Sequence, residues 1–130
     1  KKFKSIAGAN LKLKTKYTKG EILMHKYSID DFWGEVQRDY KKKDYFALEF
    51  DTQLLMQNVI ELFLKLRGEF FRQPNDMAIF IKKLDKNFGS QVEQFYKIKD
   101  LKKKLGTLSK IIDYVYKLSG GSLPEKWQVK

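Results

Sequence analysis

Two pairs of side chains in this sequence have the types and spacing that could do chemistry. Glu49 and Asp51 are carboxylates separated by one residue, at the start of a strongly apolar segment. Asn58 and Glu61 follow in the same segment, three positions apart, a spacing that puts both on one face of a helix. Carboxylates that line a cleft bind hydroxyls or accept protons. Each pair also has a plainer reading. Acids in a first helical turn compensate the helix dipole, and an Asn–Glu pair can be a polar strip facing water. Residues 65–88, "KLRGEFFRQPNDMAIFIKKLDKNF", pose a related question. Gly68 and Pro74 read as helix punctuation, and Phe70 and Phe71 are expected to fill the junction between two helices. Arg72 is the residue of that turn that packing does not explain.

Other chemistries lack their residues. His25 is the single histidine, and there is no cysteine. A Cys/His zinc set is therefore excluded, as are thiol catalysis and disulfides. A Ser-His-Asp set cannot be assembled convincingly around His25, which reads as structural or exposed. Neither a phosphate-binding Walker loop nor GxGxxG occurs. Most acids stand beside lysines at surface spacing, so no inward carboxylate set for a metal is expected. The runs Lys41–Lys43 and Lys102–Lys104 invite a nucleic-acid reading, but solvated helix faces account for them better, since no aromatic platform is interleaved with them.

The chain has 130 residues, enough for one core, and ten Phe, seven Tyr and two Trp argue against disorder. The formal charge of +11 is uneven. Residues 1–27 carry eight Lys against one Glu, whereas 28–130 carry nineteen basic against fifteen acidic groups. Such a balance favours anionic partners. No apolar run approaches the roughly 18 residues of a membrane span, so no membrane partner is expected. The absence of cysteine fits a reducing cytoplasm. The opening KKFKSIAGAN has no apolar core of a signal peptide and no initiator Met, which suggests a fragment of a longer chain.

The elements that must position these residues follow from periodicity. Leu11, Leu13, Thr15 and Tyr17 alternate with polar residues, and Lys19-Gly20 separates them from Ile22, Leu23, Met24 and Tyr27. This predicts a β-hairpin over 11–27. Ser28–Asp31 predicts a helix start, with a first helix over 30–43. A second over 45–67 is apolar almost all round, as a central helix must be. A third follows Asn75 or Asp76 and runs to Phe88. A short fourth starts at Gly89-Ser90, and a fifth follows Asp100 and ends before Gly120-Gly121. Pro124 suits a further helical turn, and Trp127 is expected to dock back. The fold class is therefore all-α: an antiparallel bundle of four to five helices over 28–130, preceded by a short basic β-hairpin over 1–27.

The order of parts over 45–118 resembles the C-terminal helical domain of minimal nucleotidyltransferases, the superfamily that includes kanamycin nucleotidyltransferase. The pieces that carry the resemblance are "LLMQNVIELFLKLRGEFF", the turn "FFRQP", a helix ending "IKKLDKNF", the short "QVEQFY" and "LKKKLGTLSKIIDYVYKLSGG". Members often show Tyr, Pro and then Lys around the turn. This chain has Phe71 and Pro74, with Met77 in the Lys position, so contacts to phosphate at the turn lose two donors.

The resemblance implies an accessory substrate-binding domain without the catalytic one. In that superfamily a separate α/β domain carries Gly-Ser followed by two carboxylates on a strand, which hold Mg²⁺ and the nucleotide triphosphate. That motif is missing here, and residues 1–27 would be the trailing edge of such a domain. Glu49 or Glu61 would then orient or activate an acceptor hydroxyl, with Asn58 beside Glu61. Arg67 and Arg72 would meet a phosphate, and Tyr45 would stack. The implied partners are the catalytic domain, in the same or a separate chain, and a small-molecule or nucleotide acceptor; a homodimer is a separate expectation. The competing expectations are a basic helical module for RNA or DNA and a protein-interaction bundle.

Overall fold

A computed structural model describes residues 17–121, and among them there are five helices and no strand. Helix α1 spans Lys19–Lys42, α2 Tyr45–Leu66, α3 Pro74–Leu84, α4 Lys86–Lys97 and α5 Leu101–Leu118. No described helix is long and apolar enough to cross a membrane.

Helix α1 begins earlier than its pattern suggested. The Thr18 hydroxyl accepts from Glu21 N at 3.0 Å, while the Thr18 N–H donates to Glu21 Oε1 at 2.7 Å. This reciprocal capping box satisfies two amides that a helix start otherwise leaves bare. Ile22, Ile29 and Val36 then repeat every seventh residue on one buried stripe. Residues 19–27, expected to hold the hairpin's turn and second strand, are thus helical, and Ser28 lies inside the helix. The helix crosses the boundary expected between 27 and 28 without a break. The first strand of that hairpin, over 11–16, and the tail with Pro124 and Trp127 lie outside the described residues.

Helix α1 ends at Lys43, which is left-handed (φ 59°), and the chain reverses at once into α2. The Asp44 carboxylate caps α2 by accepting from Ala47 N at 3.2 Å. Leu48, Leu55, Met56, Val59, Leu62, Phe63 and Leu64 are all buried, so α2 is the central helix. Gly68 closes it with φ 69°, a conformation glycine adopts without a Cβ penalty. Pro74 opens α3 as its first residue, where a missing N–H costs nothing.

Helices α3 and α4 meet at Asp85, four residues earlier than expected. Its N–H donates to Ile81 O, ending α3, and its carboxylate accepts from Phe88 N at 3.0 Å, starting α4. Gly89 lies inside α4 and lets the hairpin close. A Cβ there would stand 2.6 Å from Lys82 Cγ and 2.8 Å from Lys82 Cα. The Asp100 carboxylate accepts from Lys103 N at 3.0 Å and starts α5.

Sequential neighbours α1–α2, α3–α4 and α4–α5 pack together, and α5 returns to α2. Phe63 of α2 stacks on Phe88 of α4 at 4.1 Å between centroids, and Phe88 meets Tyr114 of α5 at 6.3 Å. Near the other end, Leu48 and Thr52 share a hollow with Leu101 and Leu105. The starts of α2 and α5 therefore lie together and so do their later halves. These two helices therefore run parallel. The expected antiparallel order does not extend to this pair.

Phe70 and Phe71 do not fill the junction after α2: they are 80% and 49% exposed. Stacked Phe63 and Phe88 occupy the core there instead, which leaves the turn's rings outside.

Candidate functional site

Helix α2 carries both candidate carboxylates, but Glu49 and Glu61 stand twelve residues apart, about 18 Å along the axis. They line different cavities.

Glu61 and Asn58 line an open cavity of about 710 Å³ with Tyr17, Met24, His25 and Lys65. His25 is buried there, on helix α1 and not on the hairpin strand expected for it. Its Nε2 pairs with Asn58 O at 3.0 Å and its Nδ1 with Lys65 Nζ at 3.3 Å. A carbonyl only accepts, so Nε2 carries the proton and Nδ1 accepts from the ammonium. Burial, and then the neighbouring Lys65 charge, push the imidazole below its ordinary pKa of 6.5. Lys65 also pairs with Glu61 at 3.6 Å and sits 4.8 Å from the Tyr17 ring centroid. Both imidazole nitrogens are thus spent within the protein, and the Glu61 carboxylate has its own counterion. The cluster ties α1 to α2 and offers no free base. Asn58 and Glu61 also border a smaller hollow of about 290 Å³ with Phe32, Leu54 and Phe71.

Glu49 belongs to a more enclosed cavity of about 480 Å³, bounded by the start of α2, the end of α4 and the start of α5. Leu48, Phe95, Leu101 and Leu105 give it apolar walls. Polar groups come from Glu49, Thr52 and Gln53 on α2, Tyr96 on α4, and Lys99 and Lys104 beyond it. The Tyr96 hydroxyl donates to Gln53 Oε1 at 3.2 Å. Burial raises the Tyr96 phenol above its ordinary pKa, so it stays a neutral donor. Lys104 lies 4.7 Å from the Phe95 centroid and 5.8 Å from that of Tyr96. Its ammonium lies over these rings and has no carboxylate partner within 4.0 Å among the described residues. The Thr52 hydroxyl is buried at this site and forms no hydrogen bond. The arrangement combines an apolar slot, two ammonium groups, one carboxylate and an unused hydroxyl. Those features suit a flat ring that bears an anionic group.

The remaining candidates lie elsewhere. Tyr45 is the exposed first residue of α2, beside Phe46 and Phe50, whose rings stack 6.0 Å apart. Arg67 follows α2 at its far end, with its guanidinium 5.9 Å from the Phe63 centroid. Arg72 pairs with Glu69 at 3.4 Å and covers the Phe80 ring at 4.1 Å. Packing therefore does account for Arg72. The six candidates do not form one site: Asn58 and Glu61 share a cavity, Glu49 has another, and Tyr45, Arg67 and Arg72 line neither.

Sequence reasoning missed Thr52, Gln53, Tyr96, Lys99 and Lys104 as a group. The available signal was "YKIKDLKKK" at the end of an amphipathic helix, an aromatic followed by five basic residues and one acid. It also missed that Glu35, Asp39 and Asp51 converge, the one set of three carboxylates close enough to share an ion among the described residues. No family model matches the chain, and no curated protein and no solved structure matches it either.

Proposed function

We propose that the chain is the acceptor-binding helical domain of a nucleotidyltransferase, and that the α2–α4–α5 cavity seats the acceptor. One observation carries the reading: Glu49, the buried Thr52 hydroxyl, Tyr96, Lys99 and Lys104 surround an apolar slot of about 480 Å³. The sequence resemblance over 45–118 supplies the enzyme class. In this reading Leu48, Phe95 and Leu101 sandwich a ring, and Lys99 and Lys104 hold a phosphate or carboxylate. Glu49 stands at the rim, where its carboxylate orients an acceptor hydroxyl and takes its proton on transfer.

The Mg²⁺ and nucleotide triphosphate that the resemblance implies do not fit this cavity. It offers a single carboxylate, Glu49, whereas the resemblance places Mg²⁺ on two carboxylates of a strand. Metal chemistry is therefore assigned to a separate catalytic domain, and no step here depends on it.

Calorimetric titration with adenosine monophosphate, and with adenosine as the uncharged control, tests the proposal. The monophosphate should bind at least about tenfold more tightly than adenosine, and Lys104→Ala should abolish that difference. Failure of both compounds to bind at about 10 mM, or equal binding by the variant, contradicts it.

A second reading has one observation in its favour. Lys41–Lys43 precede the start of α2, and Lys97, Lys99 and Lys102–Lys104 surround the start of α5, so both runs lie at the same end of the bundle. That end would suit the backbone of a single-stranded nucleic acid, with Tyr96 as a stacking ring. Oligonucleotide binding that weakens steeply between about 50 and 200 mM salt would favour this reading over the first.

A further inference from the structure

We infer that Glu35, Asp39 and Asp51 form a binding site for a hard divalent cation of about the size of Ca²⁺ at the α1–α2 seam. Glu35 and Asp39 lie one turn apart on α1, and Asp51 reaches them from the second turn of α2. One carboxylate oxygen from each lies within 4.8 Å of the other two. Proximity of acids alone would mean little in a chain whose surface is rich in charge. The second observation is Asp39 itself. It is 7% exposed, and its Oδ2 is buried without a hydrogen-bond partner. The Arg38 guanidinium feels the Asp39 charge, but its hydrogen bond goes to Glu35 at 2.7 Å and leaves Asp39 Oδ2 without a donor.

A buried carboxylate with no donor, facing a second carboxylate, is costly. Two things can relieve it: a cation, or a proton shared by the pair. Asp51 beside it, and then burial, hold the Asp39 carboxyl above the usual range. The geometry accommodates an ion directly. Oxygens across a Ca²⁺ shell of about 2.3–2.6 Å radius are separated by up to roughly 5 Å. Mg²⁺ demands near-ideal octahedral geometry and dehydrates reluctantly, so it suits a set of three protein carboxylates less well. An all-oxygen set selects hard cations over zinc or copper. Three carboxylates leave further positions for water, so binding should be weak and depend on all three groups. The site joins two helices, so occupancy should stabilise their pairing. This inference is independent of the acceptor cavity.

The test uses the chain freed of metals by chelation. Thermal unfolding is followed with about 5 mM CaCl₂, with MgCl₂, and with KCl at matched ionic strength. CaCl₂ should raise Tm by about 3 °C or more above the KCl control, with a smaller rise for MgCl₂. Asp39→Asn and Asp51→Asn keep the shape and remove the repulsion, so both should fold without the ion and lose the calcium response. Asp113→Asn, an exposed acid elsewhere on α5, should keep it. Terbium luminescence sensitised by the protein's aromatic residues gives a second readout. It should saturate and be reversed by Ca²⁺ in the parent chain and be absent in Asp39→Asn. A calcium response no larger than that of KCl overturns the inference, as does an undiminished response in both variants. Stabilisation on lowering pH without any cation response would show a shared proton only, and would also overturn it.

Discussion

The His25 imidazole accepts from the Lys65 ammonium at 3.3 Å across the α1–α2 seam, while its other nitrogen donates to Asn58 O at 3.0 Å. A side chain capable of catalysis is thereby used as a strut between helices. That favours the Glu49 cavity over the His25 cavity as the one available to a ligand.

The first prediction concerns pH. Burial and Lys65 place the His25 pKa below 6.5 in the folded chain, while the unfolded chain titrates near that value. Between the two values only the unfolded state takes up the proton. The histidine's contribution to stability is therefore complete above about pH 6.5 and is lost as pH falls through the lower folded value. Since His25 is the single histidine, its ring protons give an unambiguous titration by NMR. A midpoint at or above 6.5 would contradict the proposed hydrogen-bond pattern.

A second prediction follows from Gly89. The Cβ of Gly89→Ala would meet the Lys82 backbone as well as its side chain, within 2.9 Å. The α3–α4 hairpin would have to open, at a cost of about 1–3 kcal/mol. Urea unfolding should show the loss, whereas Gly106→Ala, where a Cβ meets nothing within 4 Å, should be neutral or slightly stabilising.

The third prediction concerns how α1 holds the end of α5. The Tyr116 hydroxyl lies 3.0 Å from Lys26 O and 2.8 Å from Asp30 Oδ1. Lys26 Nζ in turn donates to Gly121 O at 2.6 Å and approaches Ser119 O at 3.5 Å, meeting carbonyls that a helix end leaves unpaired. Tyr116→Phe should cost about 1 kcal/mol. Hydrogen exchange should quicken in the first half of α1 and leave α3 and α4 unchanged.

Much of this architecture was legible because local chemistry fixed it. Gly68 and Asp100 act where their residue types indicated, since a left-handed cap and a carboxylate cap need only neighbouring residues. The start of α1 was readable too, in Thr18-x-x-Glu21, but alternation up to Tyr17 and the glycine after Lys19 competed with it. Asp85 serves two helices at once, which hid their boundary.

The candidate site was less legible. Glu49 and Asp51 look paired in sequence, yet a helix turns about 200° between them. One faces the α4–α5 cavity and the other faces Asp39. Gln53, Tyr96 and Lys104 meet only because α5 returns alongside α2, and no periodicity within one helix encodes that register.

The most direct test of the central claim is NMR mapping of adenosine monophosphate on the isotopically labelled chain. Seating in the cavity predicts saturable shifts at Thr52, Gln53, Tyr96, Lys99 and Lys104, with His25 and Glu61 unmoved. Shifts centred on His25 and Glu61, or no saturable shift at all, would contradict it.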